Sequence, residues 1–326
     1  MVDPVEEGTA LPARTIPWPR SISAEAVAAL KASAAQPSAE LPGPHDADAW
    51  RVLIPQVDAV MSSAYAGRAD PSIEVATQVL EGVTVHRARP ATLSEDDKRL
   101  YIEIHGGALV FGAGAFCRAC AIRDAAQFGT EVVAVDYRMP PDHPFPAALD
   151  DCLAVYAAEV AARGAHNIIV GGGSAGGNLA AALLLRARAE GLPMPAALLL
   201  LSPEVDLTES GDSFETLMGI DAVLKSRLSA TIALYAGDHP LDDPLLSPLF
   251  GDLGGFPPTL LQSGTRDLFL SNTVRMHRRL RQAEVAAELH VFEAMPHGGF
   301  FAGPEDADKD HEIARFVARH WPERQT

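Results

Sequence analysis

The chain has 326 residues, and its 26 Lys plus Arg against 43 Asp plus Glu give a formal net charge of −17. A surface this acidic repels phosphate backbones and anionic headgroups, which argues against nucleic-acid and membrane-surface partners and leaves neutral or cationic small molecules. With 48% hydrophobic and 21% charged residues the composition is that of a folded globular protein, long enough for about two domains or one elaborated α/β unit.

Residues 1–20 hold four prolines and no apolar period, so an extended arm is expected. They also lack the basic and apolar regions of a signal peptide. Ser23 then caps a helix whose Ala26, Val27, Leu30 and Ala34 share one face. The stretch 36–44 breaks it, and a second helix is expected over 46–64, with Trp50, Leu53, Ile54, Val57 and Met61 at helical spacing. Segments 74–81 and 83–89 alternate between Gly82 and Pro90 and read as two antiparallel strands. Short apolar runs follow at 100–104, 131–137, 167–170, 196–201, 258–262 and 287–293. Helices are expected at 147–162, 177–190, 272–282 and 306–320. Strands alternating with helices predict a mostly parallel sheet covered on both faces, an α/β fold. The interval 204–243 interrupts that alternation and reads as an insertion with one helical piece near 221–235.

The most apolar stretches, 179–185 and 196–201, fall far short of the ~20 residues of a spanning helix, so no membrane insertion and a cytoplasmic location are expected. Three cysteines cannot build a disulfide framework. Cys117 and Cys120 form a C-x-x-C without a second pair, with Cys152 left over. Structural thiols are the favoured reading over a metal or redox role.

The strongest local signal is the run 170–178, Val-Gly-Gly-Gly-Ser-Ala-Gly-Gly-Asn. It places G-x-S-x-G (Gly172, Ser174, Gly176) directly after a strand and before a helix. Such a turn strains its central residue, demands small neighbours and projects the serine oxygen above the sheet edge. Gly171, Gly173 and Gly176 also satisfy G-x-G-x-x-G, with Glu190 near the place of a ribose-binding acid. That fingerprint normally opens the first βαβ unit, whereas this run follows several strands, so the nucleophile reading is preferred. A second element, Ile104-His105-Gly106-Gly107-Ala108-Leu109, again ends a strand. Paired glycines let successive main-chain N–H groups converge, as the anionic oxygen of an acyl-transfer intermediate requires.

A serine hydroxyl needs a neutral imidazole to take its proton, and the imidazole needs a carboxylate to fix its tautomer. Among eleven histidines, His297 stands apart, in the loop Met295-Pro296-His297-Gly298-Gly299-Phe300 after the last strand. Gly264-Thr265-Arg266-Asp267-Leu268 ends the preceding strand, which favours Asp267 as the acid over Asp252 or Glu293. The order Ser174, Asp267, His297 is the one α/β-hydrolases use.

Four blocks carry a closer resemblance over about residues 100–300. They are His105-Gly106-Gly107-Ala108, the run from Asp136-Tyr137-Arg138 to Pro146-Ala147-Ala148, Gly173-Ser174-Ala175-Gly176-Gly177-Asn178-Leu179-Ala180, and Asp267 with His297. Together they resemble the hormone-sensitive lipase family of α/β-hydrolases, the bacterial esterases. The resemblance implies a mostly parallel central sheet flanked by helices, with a helical cap. Residues 1–70 would supply an N-terminal arm and the helical part of the cap, and 204–243 the cap insertion. Residues 71–203 and 244–326 would form the catalytic domain. By the same resemblance, the backbone N–H groups of Gly107, Ala108 and Ala175 form the oxyanion hole, and neither metal nor organic cofactor is needed. Family analogy allows a homodimer through the edge strand 287–293.

Three departures stand out. Ala108 replaces the third glycine of the commonest motif and narrows the pocket. Gly173 stands where the family usually has Asp or Thr. Glu204 occupies a place where relatives often carry an aromatic or small residue. The prolines and Arg138 of the 136–148 block suit a buried, hydrogen-bonded structural loop. The expected activity is serine carboxylic ester hydrolysis of short- to medium-chain acyl esters through an acyl-enzyme. Its alternatives are a lactone hydrolase, since 263–268 and 295–300 are similar to the monoterpene-lactone branch, and a non-catalytic small-ligand receptor of the same fold.

Overall fold

The computed structural model describes residues 8–9, 12–37, 40–66 and 70–321; part of the arm expected over 1–20 lies outside the described residues. Helices α1 (Ala24–Ala35) and α2 (Ala47–Ala66) come first, followed by strands β1 (Ile73–Leu80), β2 (Val83–Pro90) and β3 (Leu100–Ile104). Then come α3 (Ala115–Phe128), β4 (Glu131–Asp136), α4 (Ala147–Arg163), β5 (Ile168–Gly173), α5 (Ala175–Ala189) and β6 (Ala197–Leu201). The insertion carries α6 (Ser213–Thr216) and α7 (Ser229–Ala236). The chain closes with β7 (Thr259–Gly264), α8 (Leu270–Gln282), β8 (Ala287–Phe292) and α9 (Pro304–His320).

One eight-stranded sheet in the order β1-β2-β4-β3-β5-β6-β7-β8 forms the frame. The first two strands join antiparallel, and every pairing from β4 through β3, β5, β6 and β7 to β8 is parallel. Burial on both faces explains the continuous apolar runs. In β3 and β5, Leu100, Ile102, Ile104, Ile168 and Val170 enter the core beneath α4, α5 and α8. Tyr101 and Ile169, at alternate positions, enter the core shared with α3 and α9. Strand order reverses between β3 and β5, so a crevice opens at their carboxyl ends, the place where open α/β sheets bind ligands. Among the described residues no helix is long and apolar enough to cross a membrane.

Three local expectations need correction. Helix α3 carries no clear sequence signal, because its alanines and cysteines give little contrast between faces, and Asp124 is buried beside Phe116, Cys117, Cys120 and Ile122. The helix expected over 221–235 starts only at Ser229. The Asp221 carboxylate accepts from the Val223 and Leu224 main-chain N–H groups at 2.8 and 3.2 Å, a local turn that competes with helix. Arg138 is hydrogen-bonded to Asp151 as expected, yet exposed rather than buried.

Candidate active site

At the end of β5 the backbone turns sharply into α5, and Ser174 sits at the turn with φ 57°. A non-glycine residue adopts this region only where its surroundings impose it. The imposition comes from packing against β3. A Cβ on Gly176 would lie 1.8 Å from the Ile104 carbonyl oxygen, and one on Gly172 would lie 2.3 Å from the same atom. Only glycine permits that approach.

The loop after β3 runs over this turn. A Cβ on Gly106 would meet the Gly173 carbonyl oxygen at 2.9 Å and the Ser174 Cβ at 3.3 Å. Gly107, Ala108 and Leu109 all have positive φ, at 131°, 52° and 63°. Phe111 N and Val110 N donate to the Gly107 carbonyl at 2.8 and 3.0 Å, tightening the loop. Among the described residues the main-chain N–H groups of Gly107, Ala108 and Ala175 donate to no protein acceptor, so all three are available to a ligand oxygen. Beneath the loop, His105 stacks on Tyr137 with ring centroids 4.1 Å apart, and the Tyr137 hydroxyl donates to the His105 carbonyl at 2.8 Å. Burial pushes the His105 imidazole down to about 4, so it props the loop as a neutral ring. From α2, Asp58 accepts the Gly112 N–H at 2.7 Å.

On the opposite side, the loops after β7 and β8 bring Asp267 and His297 together. His297 Nδ1 lies 3.0 Å from Asp267 Oδ1. Asp267 is fully buried and also accepts from the Ser263 hydroxyl at 2.7 Å and the Phe269 N–H at 2.9 Å. Burial opposes its ionisation, but His297 and these donors outweigh that and hold it below the usual carboxylate range. For His297, burial opposes the imidazolium, while the Asp267 charge, its hydrogen bond and the Asp221 charge raise it above the ordinary histidine value. Phe269 meets the imidazole edge-on at 4.8 Å.

The two sides adjoin through the end of β6. Ser174 N donates to the Leu201 carbonyl at 2.9 Å, and Gly298 N reaches the Ser202 hydroxyl at 3.4 Å. No hydrogen bond joins the Ser174 hydroxyl to His297 among the described residues; such contacts commonly tighten when substrate arrives. Asp252 and Glu293, the other acids considered, are exposed and partner Arg188 and Ser21 respectively, away from His297.

Sequence reasoning missed Asp58 and Asp221, which accept from distant main-chain N–H groups and leave no local pattern, and Ser263, whose hydroxyl donates to the Asp267 carboxylate four residues on. Cys117, Cys120 and Cys152 are free and buried, with their thiols pushed up by burial. Among the described residues, His86, Cys117 and Asp136 place ligating atoms within 4.8 Å of one another. The Asp136 carboxylate is already engaged there, by the Gly114 N–H at 3.0 Å and by His86 Nε2 at 3.3 Å.

A family model described as alpha/beta hydrolase fold matches residues 101–301. A curated esterase of Acinetobacter venetianus is 35% identical over 229 residues, which is 69% of this chain and 75% of that protein. The crystal structure of esterase E25 superposes with a TM-score of 0.88 at 35% identity, covering 97% of this chain and 99% of the other. A hormone-sensitive lipase from a metagenome library superposes with a TM-score of 0.79 at 32% identity, covering 89% and 95%.

Proposed function

The chain belongs to the hormone-sensitive lipase family of α/β-hydrolases and is a carboxylesterase, and from that premise we propose that Ser174, His297 and Asp267 are its nucleophile, base and acid. The observation that carries this reading is the meeting of three features at the carboxyl end of one sheet. They are the strained serine at the end of β5, the His297–Asp267 pair 3.0 Å apart, and three main-chain amides with no protein acceptor among the described residues.

The Ser174 hydroxyl attacks the ester carbonyl while His297 takes its proton. Asp267 engages Nδ1, so Nε2 is the nitrogen left to face the serine. The Gly107, Ala108 and Ala175 amides receive the developing oxyanion, each contributing ~10²–10³ in rate. His297 returns the proton to the leaving alcohol, and water releases the acyl group from Ser174 by the same route. Helices α1 and α2 with residues 204–243 form the cap. Trp50 of α2 and Leu234 of α7 pack with Val110 and Phe111, directly over the oxyanion loop. Ala108 packs against that same cluster, so its methyl limits the room beside the oxyanion loop, which favours short and medium acyl chains. The relatives described above are named as esterases and a lipase, so the lactone alternative is not favoured.

The test is a hydrolysis panel from acetate to laurate esters with several lactones included. Activity should peak at short or medium open-chain esters. Ser174→Ala should lower kcat/KM on an activated butyrate ester by at least about 10⁴-fold. A variant keeping most of its turnover would sink the assignment.

A further inference from the structure

Asp221 belongs to the insertion, yet its carboxylate is spent on the site. The residue is 1% exposed. Its Oδ2 accepts from the Leu268 N–H at 2.8 Å and the His297 N–H at 3.3 Å. Its Oδ1 accepts from Val223 and Leu224 at 2.8 and 3.2 Å and lies 3.4 Å from the same His297 nitrogen. Leu268 directly follows Asp267. One carboxylate from a third chain segment thus ties together, by their backbones, the two loops whose side chains meet as acid and base.

The segment is anchored from the other side by the first cap helix. Ala222 packs with Ala26 and Leu30 of α1 and with Met295 and Phe300 of the His297 loop. The Ser33 hydroxyl of α1 donates to the Ala222 carbonyl at 3.0 Å. Lys225, the nearest cation on the segment, reaches away to the Ala34 and Gln36 carbonyls. The titratable groups that face Asp221 from the loops packed on it are His297 and Asp267.

We propose that Asp221 is a positioning residue for ester hydrolysis, setting the separation of Asp267 and His297 through their main chains and adding a second negative charge beside the imidazole. This rests on the assignment of those two residues as acid and base. A neutral amide would not substitute for it. Asparagine offers one acceptor oxygen where four main-chain amides converge, and its NH₂ would turn donors toward donors. Burial pushes the Asp221 carboxyl up to about 6, so it is ionised at neutral pH, where the base must work. Its charge then favours imidazolium, which forms in each proton transfer.

The experiment compares kcat and kcat/KM against pH on a butyrate ester for the wild type, Asp221→Asn and Asp221→Glu, with Ser174→Ala alongside. Loss of the charge lowers the imidazolium pKa, so the acid limb of Asp221→Asn should move to lower pH by roughly half a unit. Its kcat at pH 8 should fall about 10-fold as the acid–base pair loosens. Asp221→Glu should restore the limb to its wild-type position while kcat stays reduced. A purely structural prop would lower kcat or melting temperature with the limb unmoved, and that result overturns the proposal. Should Asp221→Asn fail to fold, Asp221→Ser removes the same charge and carries the same comparison. Turnover by Ser174→Ala would strike instead at the parent assignment, so the two failures are distinguishable.

Discussion

Around Ser174 the chain closes by contact, and around His297 a similar contact, Gly264 against the Met295 carbonyl oxygen, is joined by buried charge. On the serine side, glycines 106, 172 and 176 let β5, α5 and the oxyanion loop approach until any side chain would collide with a carbonyl oxygen. On the histidine side, two buried carboxylates, Asp267 and Asp221, gather hydroxyl, imidazole and main-chain donors from the loops after β7 and β8. The two constructions should fail in different ways. A change on the contact side perturbs the fold, whereas removing the Asp267 charge leaves the fold and perturbs proton transfer.

The largest expected effect lies on the charge side. Asp267→Asn keeps the shape of the side chain but removes the charge that supports imidazolium and fixes its tautomer. The kcat on a short-chain ester should fall by about 10⁴-fold, with far-ultraviolet dichroism unchanged. A loss of less than tenfold would mean that another group orients His297. On the contact side, Gly176→Ala places a methyl 1.8 Å from the Ile104 carbonyl oxygen, an atom fixed in the β3 ladder. Denaturant unfolding should show a loss of about 3 kcal/mol or more. If the variant were as stable as the wild type, the close approach of β3 and α5 would not be what shapes the turn.

The same contrast explains what could be read from the sequence. Contact by glycine leaves a local signature, so Gly172, Ser174, Gly176 and the Gly106–Gly107 pair are legible in the sequence alone. The strands are legible too, because burial on both faces writes unbroken apolar runs such as 100–104 and 131–136. Asp267 and His297 are singled out in the sequence by their places after the last two strands. Asp221 is not, since its partners are main-chain amides of Leu268 and His297, 47 and 76 residues away. Helix α3 is lost for a different reason. Its buried face includes Asp124, which Arg123 pairs at 2.6 Å, so a charged residue stands where an apolar period would be sought.

Glu204 lies between the two constructions and sharpens the comparison. Its main-chain N–H donates to the Ser174 carbonyl at 3.1 Å, while its side chain is 1% exposed and Oε2 has no hydrogen-bond partner among the described residues. Burial pushes this carboxyl up to about 8. An unfolded glutamate titrates near ~4.3. The folded state therefore retains the proton across that window, and this group's contribution to stability falls as pH rises from about 4 to about 8. Glu204→Gln removes the ionisable group and keeps the shape. At pH 8.5 the variant should be more stable than the wild type by roughly 4–5 kcal/mol, an advantage that shrinks to about 1 kcal/mol near pH 5. Equal pH slopes for the two proteins would show that Glu204 is ionised without penalty.

The smallest effect is expected at Gly173, and its smallness is informative. This glycine sits one residue before Ser174, where a resemblance to esterases would place Asp or Thr, and it could be taken for another enforced close contact. It is not. Unlike Gly107, it has no positive φ, and a Cβ there would lie 3.5 Å from the Leu201 carbonyl oxygen, an ordinary van der Waals distance. The turn is already imposed by Gly172 and Gly176, so position 173 is free of the constraint that governs its neighbours. Gly173→Thr should therefore unfold within about 0.5 kcal/mol of the wild type, the β-branched residue suiting the last position of a strand. Its kcat should stay within a factor of about three, because no atom of the added side chain replaces a group that donates to the oxyanion or touches His297. A large loss of stability would extend the contact side of the site by one residue. A large loss of kcat alone would mean that the space beside Leu201 is part of the substrate's path.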